Sequence, residues 1–205
     1  SRKADPTFTF NVEAGITDVN GETQSGTTSI SVGYRSIDIA LNLGDAINRS
    51  EADSLDLSVQ DLNGHVLNVP MDVRITRLQT PATPLRDRLW ERPDRNIMSD
   101  AQFKERFPQD VCAEENDPLT WPAETVVMQR KHWIAAGSPL ALDGIAKWDV
   151  GTYLIEVGAK DADGKEVTAK KTVVSYDPAV QHTGFVNDAF HAEAVKATAE
   201  PGENA

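Results

Sequence analysis

In "ITDVNGETQSGTT", residues 16 to 28, Asp18, Asn20 and Glu22 stand at alternate positions around Gly21. Alternating oxygen donors are what a hard cation such as calcium requires. An EF-type calcium loop takes oxygens at positions one, three and five, glycine at six and a bidentate Glu at twelve. Counted from Asp18, the glycine here comes fourth, and no Glu follows at the required distance. Asp first and Gly fourth instead describe a type I turn closing into a bulge, with the glycine in the left-handed conformation. The stretch therefore reads as a hairpin turn.

Cys112 opens "CAEEN" and invites comparison with an internal thioester, in which a Cys thiol is joined to a Gln side chain three residues later. The residue at that distance is Glu115, and a carboxylate has no amide to lose as ammonia. A plain surface or half-buried thiol is expected, with nothing positive close in sequence to favour the thiolate. His65, His132, His182 and His191 are scattered, without an HxH or HxxxH spacing, and no Ser sits in a GxSxG elbow. The acidic "EEND" at 114 to 117 reads as a solvated run rather than an acid-base pair. Gly33, Gly44 and the other glycines form no phosphate-binding array. No catalytic, cofactor-binding or metal-ligating residue is assigned, no cofactor is expected, and the chain does not read as an enzyme.

The elements that carry these residues alternate with period two, as strands with one buried face do. Phe8, Phe10, Val12, Ala14 and Ile16 keep one parity, as do Ile30, Val32 and Tyr34 beyond the turn. Further runs place Ile37, Ile39, Leu41 and Leu43, then Leu55, Leu57 and Val59, then Leu67, Val69, Met71, Val73 and Ile75 on single faces. Pro70 has no amide donor, so the last of these runs is expected at a sheet edge or with a bulge at the proline. "GTYLIEVGAKDADGKEVTAKKTVVSY" gives two more strands around a tight turn.

The opening motif recurs. "DVNGE" at 18 to 22 returns as "DLNGH" at 61 to 65 and "DADGK" at 161 to 165, each between alternating runs. "FNVEAGITDVNGE" also lies on "YLIEVGAKDADGK" without a gap, pairing Phe10 with Tyr153, Glu13 with Glu156 and Gly15 with Gly158. One hairpin pattern is used at least twice.

Between about residues 79 and 148 the alternation fades into Pro, Arg, Asp and Trp. "SDAQFKERF" predicts a short helix capped by Ser99, with Gln102 completing the capping box, Phe103 and Phe107 on one face and Pro108 ending it. A strand, "ETVVMQR", is expected inside this insertion. Trp90, Phe103, Phe107, Trp121, Trp133 and Trp148 are too apolar for a free loop and are expected to dock on the sandwich. Residues from about 179 onward read as a linker or the start of a following domain.

The 205 residues, 40% of them apolar, suffice for a real core. A net charge of −12 disfavours nucleic acid and anionic membrane surfaces, which reward clustered Lys and Arg. No stretch of some eighteen apolar residues is present, and "SRKADPTFTF" lacks the apolar core of a signal peptide. The single cysteine builds no disulfide framework, which leaves the compartment open.

"FTFNVEAGITDVNGETQSGTTSISVGY", followed by strands, "FKERFP", a Trp-bearing acidic stretch and "GTYLIEVGAKDADGKEV", resembles bacterial alpha-2-macroglobulin-like proteins, above all the large cell-envelope members of Bacteroidetes. The likeness spans about residues 6 to 178. It implies an all-β fold, an immunoglobulin-like sandwich of macroglobulin (MG2-like) type over 36 to 178, preceded at 1 to 35 by the closing hairpin of another such domain. It also implies a broad endopeptidase trap in the periplasm or at the outer-membrane surface, with neighbouring domains of the same chain and proteases as partners. "CAEEN" lacks the thioester Gln, so covalent capture is not carried over to this chain. An isolated hairpin is marginal in water, so residues 1 to 34 are expected to pack against the central sandwich, extension of one of its sheets being one way to do so. The alternative is an Ig-like carbohydrate- or protein-binding accessory module with Trp90, Trp121 or Trp133 exposed on one face.

Overall fold

The structure is a computed structural model that describes residues 6–81, 85–86, 97–134 and 139–179, without the side chain of His132. Trp90, His182, His191 and the segment expected to begin a following domain lie outside the described residues, apart from its first position, Ala179. The chain is all-β. Eleven strands follow in order: β1 (Thr7–Thr17), β2 (Thr23–Gly33), β3 (Ile37–Asn42), β4 (Ala46–Asn48), β5 (Ser54–Asp61), β6 (Val66–Leu67), β7 (Met71–Leu78), β8 (Ala123–Trp133), β9 (Leu140–Ala141), β10 (Gly151–Lys160) and β11 (Glu166–Tyr176). Among the described residues one α-helix, α1 (Asp100–Arg106), stands between β7 and β8.

Two sheets face each other across one core. The larger runs β4-β11-β10-β7-β8, antiparallel except where β4 lies parallel to β11. The smaller runs β3-β5-β6, with β9 also pairing with β5. Ile37, Ile39, Leu55, Leu57 and Val59 from the small sheet meet Met71, Val73, Ile75, Tyr153, Ile155, Val157 and Val173 from the large one. These are the parities expected from period two, and burial of that face holds the sheets together.

Pro70 corrects one expectation. The run is not one strand: it divides at the proline into β6, the edge strand of the small sheet beside β5, and β7, which lies between β10 and β8 and slips in register against β8 just after Met71. Without an amide to offer a ladder, Pro70 falls where the chain leaves one sheet for the other. A second correction concerns the insertion. The strand expected inside it is β8, eleven residues long and the edge of the large sheet, so part of the 79 to 148 segment is itself sandwich. The ladder between β7 and β8 slips at three places, which blurs the alternation that would have marked β8 as a full strand.

The helix forms as expected. Ser99 accepts from the Gln102 amide, and the Gln102 side chain accepts from the Ser99 amide. The Phe103 and Phe107 rings lie 5.2 Å apart. Trp133 and Trp148 pack against the core, whereas Phe107 remains exposed.

The hairpin β1–β2 departs from its expectation most. It extends neither sheet but forms a two-stranded sheet of its own, paired without a break from Thr7↔Gly33 to Thr17↔Thr23. Three residues, Tyr34 to Ser36, join it to β3, and its base rests on the tips of two turns; among the described residues no other strand lies alongside the ribbon.

Candidate functional site

The three copies of the repeated turn close in the same way. In each, one carboxylate oxygen of the leading Asp accepts two backbone amides, two and four residues on: Asp18 from Asn20 and Glu22, Asp61 from Asn63 and His65, and Asp161 from Asp163 and Lys165, all at 2.8–3.0 Å. The amides of Gly21, Gly64 and Gly164 donate to the carbonyl of the same Asp, and all three glycines have positive φ. An oxygen ringed by N–H dipoles is set to bind donors, not a cation. The motif is a turn in all three copies, and no group of three metal-ligating side chains occurs among the described residues.

The second and third turns also grip the first hairpin. The Ser31 amide donates to the Asn63 side chain at 2.9 Å, Lys165 Nζ to the Tyr34 carbonyl at 3.1 Å, and the Ser36 amide to Asp161 at 3.5 Å. Leu62 lies so close to Gly33 that a Cβ there would meet it at 3.0 Å. Burial works against the Asp161 carboxylate, but the amides of Lys165, Ser36 and Asp163 hold it below its ordinary value. The His65 ring, with the His65 amide, does the same for Asp61. Sequence reasoning missed Asn63 and Lys165 as holding residues.

Above this base, the hairpin presents one apolar and one polar face. Phe8 lies opposite Val32, Phe10 opposite Ile30 and Val12 opposite Thr28, and the five apolar side chains among these are each about half exposed. Thr9, Asn11, Glu13 and Gly15 line the other face against Ser31, Ser29, Thr27 and Ser25. A contiguous exposed apolar strip of this kind marks an interaction surface on a folded protein. It is the main candidate site on the described chain.

Among the described residues, those singled out for chemistry do not converge. Cys112 is buried, not half-exposed, and its thiol lies 3.6 Å from Asp100. Glu115, three residues on, accepts from the Ala113 amide and pairs with Lys104 at 3.1 Å. Burial raises the Glu115 carboxyl, but that amide and Lys104 bring it below its ordinary value, and Glu115 in turn raises Lys104. Asp117 caps the short 3-10 turn Pro118–Thr120. The "EEND" run is therefore not simply solvated; two of its acids fasten the loop. Trp121 is 9% exposed and donates its Nε1–H to the Glu115 carbonyl at 2.8 Å, so it presents no platform for a sugar. His65 is exposed on its turn, paired with Asp61 at 2.8 Å.

Cavities among the described residues offer no alternative site. One, about 10 Å³ and apolar, lies in the core beneath Trp148. The other is an open groove of about 220 Å³ between Pro70 and Gly158, lined by Asp72, Lys160 and Glu166. Neither brings together a nucleophile, a base and an oxyanion donor. No helix of the described residues is long and apolar enough to cross a membrane. No family model, curated protein or solved structure matches the chain.

Proposed function

We propose that this chain is a non-catalytic structural module, Ig-like in its sandwich, of a macroglobulin-like protease trap in the bacterial envelope, with neighbouring modules of the same polypeptide as its partners. The observation that carries the reading is the β1–β2 hairpin, whose apolar face is bare while its base is held by the Asn63 and Lys165 contacts. A ribbon oriented at its base and uncovered above it suits docking against another module. Cys112 and the acidic run serve packing and loop contacts, which suits a scaffold. The chain's all-β build agrees with the fold that the resemblance implies.

The test is hydrogen exchange on the polypeptide as its gene encodes it, compared with residues 1–205 alone. Slower exchange across Phe8–Val32 in the encoded protein is the expected result. Unchanged, rapid exchange there refutes the docking role. Turnover of a peptide, ester or glycoside by the isolated chain, abolished by substituting a described polar residue, refutes the non-catalytic one.

A further inference from the structure

The hairpin β1–β2 and the core hairpin β10–β11 share one register. Phe10 faces Ile30 as Tyr153 faces Val173, Glu13 faces Thr27 as Glu156 faces Lys170, and Gly15 faces Ser25 as Gly158 faces Thr168. The second copy therefore displays the surroundings for which the first is shaped. Around β10–β11, the small sheet covers the apolar face, β7 runs antiparallel along the β10 edge, and β4 lies parallel along the end of β11.

One of these places is already filled on the first hairpin. The Val174 amide donates to the Asp45 carbonyl at 2.9 Å, and the Ser31 amide, at the equivalent position of β2, donates to Asn63, also at 2.9 Å. The edge of β2 is thus closed at its base, while among the described residues no strand pairs with the edge of β1. Charge adds a further constraint. In the core copy Glu156 is neutralised across the ladder by Lys170 at 2.6 Å, and Arg74 of β7 is its register partner on the other side. From Thr7 to Gly33 the first hairpin carries Glu13, Asp18 and Glu22 and no Lys or Arg.

We propose that the free edge of β1 receives a strand from a partner protein or module, running antiparallel and placing a Lys or Arg opposite Glu13, with an aliphatic sheet layer over Phe8, Phe10, Val12, Ile30 and Val32. The inference rests on the module reading above and specifies the partner of that surface. A second copy of this chain fits less well, because both hairpins would bring carboxylates and neither a cation.

The core copy supplies the probe. A segment with the sequence of residues 70–79, joined by a flexible Gly/Ser linker to the N-terminus of the full chain, presents a β7-like strand at roughly millimolar effective concentration. Hydrogen exchange of the β1 amides that do not bond β2 is expected to slow by roughly tenfold. Arg74→Glu in the added segment should abolish that protection, and Glu13→Lys in the hairpin should restore it. No protection, protection confined to β2, or equal protection with the Arg74→Glu segment overturns the inference. Dye binding to the apolar face, followed in the same samples and in the encoded polypeptide, reads the module proposal separately. A face covered in the encoded protein while β1 stays unpaired leaves that proposal intact and rejects the strand. Association of the unmodified chain, with β1 protected, would make the occupant a second copy and also reject it.

Discussion

Phe10 and Tyr153 hold the same place in two copies of one hairpin, opposite Ile30 and Val173, yet Phe10 is 57% exposed and Tyr153 1%. The local pattern is therefore the same and the surroundings differ. Truncation separates the two contributions. Tyr153→Ala leaves a cavity in the core and should lower unfolding stability by about 3–5 kcal/mol. Phe10→Ala removes surface that is already wet and should change stability by no more than about 0.5 kcal/mol. Denaturant unfolding of the two variants decides, and comparable losses would mean that the hairpin face is covered within the chain.

The turns make a second prediction. Gly64 and Gly164 have φ of 87° and 77°, and a Cβ at either would meet nothing within 4 Å. The cost of alanine there is conformational alone, about 1 kcal/mol for each position. Thermal unfolding of Gly164→Ala and Gly64→Ala should show similar losses. A neutral result at both would mean that the turns relax without left-handed backbone.

Strand parity, the repeated turn and the helix cap were legible in the sequence because each depends on near neighbours. Ile37 and Ile39, or Ser99 and Gln102, carry their pattern within a few residues. What escaped depends on where a strand goes once formed. Pro70 announced a break in pairing but not that the chain changes sheets there. The β7–β8 slips hid the extent of β8. The apolar parity of Phe8, Phe10 and Val12 suggested a buried face, and alternation cannot say whether the cover belongs to the same chain. The holding contacts of Asn63 and Lys165 join parts of the chain far apart in sequence, and local pattern does not report such pairs.

Acid should loosen the molecule at the ends of its strands. The Asp161 carboxyl is held below its ordinary value of 3.8 by backbone amides acting against its burial, and Asp177 by the Ala179 amide and by Arg49, which it meets at 2.9 Å. A carboxyl depressed in the folded state contributes stability above its unfolded value and loses it as pH falls through the folded one. The melting temperature should therefore hold down to about pH 4 and fall below it. In Asp177→Asn the fall should be shallower, from a lower starting point. A melting temperature independent of pH between 5 and 2 would contradict this.

At the alkaline end the relevant group is Tyr153. Burial pushes its hydroxyl up to about 12 from 10.0, and that hydroxyl donates to the Asp149 carbonyl at 2.6 Å. The neutral form is favoured in the folded protein, so this contribution to stability is intact below pH 10 and lost as pH rises toward 12. Absorbance titration at the phenolate band should show a late phase that Tyr153→Phe removes. Persistence of the late phase in that variant would assign it elsewhere.

Ser175 is a position where the core copy of the hairpin is less apolar than the exposed one, since Val32 stands at the equivalent site in β2. The Ser175 hydroxyl is buried and has no hydrogen-bond partner among the described residues. It borders the small apolar cavity lined by Ile47, Leu55 and Trp148. A buried hydroxyl without a partner costs free energy, and the adjoining space can receive part of a methyl group. Ser175→Val should therefore raise stability by about 1 kcal/mol, read from the denaturant midpoint at constant slope. Ser175→Ala isolates the polar part of the effect and should fall between the two. A loss of more than about 1 kcal/mol in both variants would show that the hydroxyl is satisfied in solution, because removing a well-bonded group is what carries such a penalty.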